Sequence, residues 1–63
     1  MRAVLVLLKR DPEGTDDWMR EGFPLTFEDE LARTGEETAR AHGDEWVRED
    51  PEHRQYSVIP MPA

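Results

Sequence analysis

Arg2–Arg10 reads RAVLVLLKR, six consecutive apolar residues from Ala3 to Leu8 held between basic ends in a chain that is charged almost everywhere else. A half-exposed strand alternates apolar and polar side chains, whereas a run that is apolar at every position needs cover on both faces. Six residues are too few for a buried helix, and Val and Leu suit a pleated sheet, so the run predicts a central strand. Successive side chains point to opposite faces, which groups Val4, Val6 and Leu8 on one side and Leu5 and Leu7 on the other. What covers each of these two sets decides the fold.

Few elements are available to do it. Asp11–Asp17, DPEGTDD, packs Pro, Gly and four carboxylates into seven residues and predicts an exposed loop. Its spacing is not that of a calcium-binding EF-hand loop. Phe23–Glu28, FPLTFE, alternates, with Phe23, Leu25 and Phe27 on one face. That predicts a half-buried strand, at a sheet edge because Pro24 cannot donate to a ladder. A competing reading makes Thr26 an N-cap and starts a helix at Phe27 that runs through Leu31 and Ala32.

Thr34-Gly35-Glu36-Glu37 has the spacing of a capping box, and Glu36 and Glu37 suit the positive end of a helix dipole. A helix from Gly35 to Glu49 follows, ended by Asp50-Pro51. Its apolar side is Ala39, His42, Gly43, Trp46 and Val47, and the pairs Glu36–Arg40 and Asp44–Arg48 stand one turn apart with the acid first. Gln55–Ile59 predicts a last strand, with Pro60-Met61-Pro62 as an extended tail. The expected fold is α+β: one small domain over residues 1–63, with a single-layer three-stranded sheet and one helix packed on one face. The element order is ββαβ, with βαββ as the alternative.

The residue inventory disfavours catalysis. Cysteine is absent, and the only serine, Ser57, falls in a predicted strand without a nucleophile elbow. His42 and His53 belong to no metal-ligand spacing, and the four glycines are scattered rather than gathered into a phosphate loop. The expectation is a protein that is not an enzyme and has no catalytic, cofactor-binding or metal-binding residues.

Charge directs attention to partners instead. Asp and Glu number 15 against 8 Lys and Arg, a formal charge of −7 and the wrong sign for clamping phosphates, so direct nucleic-acid binding is not expected. The apolar run is too short to cross a membrane, and acidic residues replace the cleavage site of a secretory signal. The expected location is cytoplasmic. A chain of 63 residues buries little surface and gains stability by association.

With one helix on one face, the other face of the first strand lacks cover. Leu5 and Leu7 are the expected contact residues, or Val4 and Val6 if the register is reversed, and a homodimer is the simplest occupant. Trp18 and Met19, between the acidic loop and the second strand, are a second anchor for a partner, and Asp16, Asp17, Glu28, Asp29 and Glu30 are the acids suited to a protein with a basic or apolar patch. The functional expectation is therefore a small acidic interaction module that binds, and in one form inhibits, another protein. The alternative is an acidic nucleic-acid mimic of the phage or mobile-element type that fills a basic groove. The run Thr34-Gly35-Glu36-Glu37-Thr38-Ala39, after one strand and before another, resembles the helix start of HicB-type antitoxins over a minor part of the chain. That resemblance implies a toxin-neutralising role and carries over no site residue.

Overall fold

The computed structural model describes every residue except Met1, Pro12, Gly14, Thr15, Asp16 and Ala63. In chain order the elements are β1 (Arg2–Lys9), β2 (Met19–Arg20), β3 (Leu25–Phe27), α1 (Gly35–Arg48) and β4 (Arg54–Met61). All strand pairs are antiparallel, and β1 is central. Along one of its edges β4 pairs from Arg2↔Met61 to Lys9↔Arg54. Along the other, β2 faces Leu8 and Lys9 while β3 faces Ala3 to Leu5.

β2 and β3 are thus two halves of one interrupted edge strand. The step from Arg20 to Leu25 spans five residues while the facing step from Leu8 to Leu5 spans three, so two residues loop out between them. Gly22 adopts φ +72°, a conformation that glycine reaches without penalty. The Glu21 amide still donates to the Leu7 carbonyl at 2.9 Å. The sheet therefore has four strands where three were expected, in an α+β fold of ββαβ character.

The interruption corrects the reading of Phe23–Glu28. Phe23, expected on the buried face, lies in the looped-out segment and is 92% exposed, and Leu25 is also exposed. Only Phe27 packs against the core, its ring 4.9 Å from that of His42. The alternative helix from Phe27 does not form. Leu31 and Ala32 occupy a tight turn closed by Glu30 and Arg33, whose amide and carbonyl groups pair in both directions.

α1 begins where the capping box places it. The Thr34 hydroxyl accepts from the Glu37 amide at 3.1 Å, and the Asp29 carboxylate accepts from the Gly35 amide at 2.7 Å. At the other end Glu49 is the C-cap. Arg54 of β4 donates to the Trp46 carbonyl and to Glu49, each at 2.9 Å, with its guanidinium 4.8 Å from the Trp46 ring. β4 itself is longer than expected, running on through Pro60 to Met61. A proline is tolerated there because β4 is an edge strand.

The core lies between α1 and one face of the sheet. Ala3, Leu5 and Ala39 are the buried apolar residues among those described, with Leu7, Phe27, Tyr56 and Val58 packed around them. Small residues on α1, Ala39 and Gly43, let the helix approach closely, and a Cβ on Gly43 would stand 2.5 Å from ring carbons of Tyr56.

Candidate functional site

β1 alternation and the core membership together assign the two sheet faces. Ala3, Leu5 and Leu7 look towards α1, and Leu5 is 1% exposed. Leu5 and Leu7 are therefore core residues and not a surface for a partner, which corrects the first of the expected pairs. Helix cover goes to the side of β1 that carries Ala3, because a small residue there admits the helix backbone. Val4, Val6 and Leu8 lie on the opposite face.

No second layer covers that face among the described residues. The register extends it onto β4, where Ile59 stands beside Val4 and Met61 beside Arg2, and onto β3, where Thr26 stands beside Val4. Ile59 is 51% exposed, and Met61 is also exposed. Val4, Val6 and Leu8 are half-buried. At the Arg2 end, Arg2 forms an ion pair with Glu28 at 2.7 Å. At the far end Arg20 stands beside Leu8. The strand positions of this face thus carry two cations, Arg2 and Arg20, with the Glu28 carboxylate just past β3, in a chain with a formal charge of −7.

The remaining expected contact residues do not converge. Asp16 lies outside the described residues, and Asp17 precedes β2 at the Lys9 end of β1. Glu28, Asp29 and Glu30 follow β3 at the Arg2 end. Seven strand steps separate the two ends, about 23 Å at the rise of an antiparallel strand. Two of these acids also have structural work. Glu28 pairs with Arg2, and Asp29 caps α1. They form no single acidic row.

Trp18 and Met19 remain accessible. The Trp18 ring lies 5.3 Å from the Arg10 guanidinium and Met19 is 69% exposed. Lys9, Arg10, Asp11 and Met19 line a shallow depression of about 360 Å³ at that end of the sheet. Lys9 is paired with Glu21, and the Arg10 side chain donates to the Glu52 carbonyl at 3.0 Å. These cations are already engaged within the chain.

On the helix side, the Tyr56 hydroxyl donates to Asp44 at 2.6 Å, and that bond holds the phenol above its usual titration range, with desolvation adding to the effect. Arg40 pairs with Glu36 at 2.9 Å, as the helical spacing predicts. Asp44, expected to pair with Arg48, bonds instead to Tyr56 from the adjacent strand. The His53 ring nitrogen lies 3.0 Å from Asp50 in the turn before β4.

No group of His, Asp or Glu side chains among the described residues is arranged to hold a metal ion, and no helix there is long and apolar enough to cross a membrane. Comparison with protein-family models, with curated proteins and with solved structures finds no match. The resemblance to HicB-type antitoxins gains no support from it. Sequence patterning missed Ile59 and Met61 as members of the open face. Their signal is the alternation Gln55, Ser57, Ile59, Met61 along β4, which becomes visible once Pro60 is accepted inside an edge strand.

Proposed function

We propose that this protein is a small interaction module that works by contact with another polypeptide chain through the open face of its sheet. One observation carries the reading. Val4, Val6, Leu8, Ile59 and Met61 form a continuous apolar surface on the side of the sheet away from α1. Contiguous apolar surface on a small domain marks contact sites, because leaving it in water costs free energy that a partner recovers. The acidic nucleic-acid mimic is the weaker reading. Its carboxylates are divided between the two ends of the sheet, and arginines interrupt those of the helix.

The test is a photo-activatable amino acid placed at Ile59 in the cell that makes the protein, with Glu45 on the exposed side of α1 as the control site. Adducts to a polypeptide from position 59, and few from position 45, support the module. Absence of any adduct from position 59 overturns it.

A further inference from the structure

Resting on that reading of the open face, we propose that its occupant is a second copy of this chain, stacked face to face about a two-fold axis lying in the interface and running across the strands. Charge makes the first argument. Two molecules of −7 repel wherever their acidic surfaces meet, whereas the open face carries Arg2 and Arg20 at its strand positions with Glu28 just past β3 against Arg2. Like-charged copies therefore approach at least cost on this side.

The placement of those charges makes the second. Arg20 marks one end of the interrupted edge strand and Glu28, beside Arg2, the other. An axis across the strands reverses strand direction while keeping each edge over its own counterpart. It brings Arg20 of each copy over Glu28 of the other, twice per dimer. An axis along the strands would set Arg20 over the Gln55 position on β4 and leave Glu28 without this contact. An isologous interface needs contacts that repeat in both directions, and the charges of the edge strand do so in this orientation.

Packing makes the third. Two strands of eight residues and the interrupted edge strand present a plane of about 14 by 23 Å, below the size of standard specific interfaces, so the dimer is a weak one. Stacking supplies the missing second layer to a chain whose buried apolar residues, among those described, are Ala3, Leu5 and Ala39.

Sedimentation equilibrium on the intact chain tests this. The expected mass is twice 7.4 kDa. Arg20→Glu and Glu28→Arg each create two like-charge contacts and weaken association by about tenfold. Both positions are exposed, and circular dichroism checks that each variant folds. An equal mixture of the two variants restores both contacts in a heterodimer and associates more tightly than either variant alone. A native mass of 7.4 kDa up to about 1 mM, or a mixture no tighter than its components, overturns the proposal. If the chain is monomeric while position 59 crosslinks to a different polypeptide, self-association falls and the interaction module stands. If position 59 crosslinks to nothing, both fall.

Discussion

Gly43 and Tyr56 share one contact in which a single methyl group has no room: a Cβ on Gly43 would lie 2.5 Å from the Cγ and Cδ2 atoms of the ring. Alanine normally favours a helix over glycine by about 1 kcal/mol. Here the added carbon displaces the ring or the helix, and overpacking costs about 1–3 kcal/mol. Gly43→Ala is expected to unfold at lower temperature than the native chain in a circular dichroism melt. A melting temperature at or above the native one would mean that α1 and β4 separate easily.

The same tyrosine reports on pH. Its hydrogen bond to Asp44 favours the neutral phenol, so the folded value is raised above the unfolded value of about 10. The stabilisation is fully present below about pH 10 and is lost as pH rises through the folded value. Tyrosinate absorbance is expected to appear at higher pH in the folded chain than in urea. Asp44→Asn removes the charge and should bring the two curves together, and an unchanged curve would show that the bond does not form.

Leu5 and Leu25 are register partners across β1 and β3, yet one is buried and the other exposed. Leu5→Ala empties the core and is expected to cost about 2–3 kcal/mol in urea unfolding. Leu25→Ala should cost less than about 1 kcal/mol, because little apolar surface is removed from water there. Equal losses would contradict the placement of α1 over β1 and β4.

Two side chains satisfy the N-terminal amides of α1, Thr34 towards Glu37 and Asp29 towards Gly35. Removal of either by alanine is expected to lower stability by about 1 kcal/mol. For Asp29 the readout separates a cap from a contact residue. A loss of thermal stability in the isolated chain marks the cap, and an unchanged melt would return Asp29 to the surface set.

Much of the architecture was legible from local chemistry. Thr34 with Glu37 announces the helix start, Asp50-Pro51 its end, and the apolar run of Ala3–Leu8 a strand at the centre of a sheet. These signals act within a few residues, through backbone amides, steric restriction before proline and side-chain alternation. The break between β2 and β3 was not legible, because Phe23, Leu25 and Phe27 alternate cleanly in sequence. The two residues that loop out are revealed only by pairing with β1.

The candidate surface divides in the same way. By itself the sequence determined that β1 has two apolar faces and that the chain has one helix to place on them, since both facts follow from residue type and periodicity. Which face receives the helix was decided in tertiary structure. Ala3 leaves space beside Leu5 for the close approach of Ala39, and Gly43 leaves space for the ring of Tyr56. Packing of small residues across elements distant in sequence therefore buries Leu5 and Leu7 and leaves Val4, Val6 and Leu8 on the face away from α1.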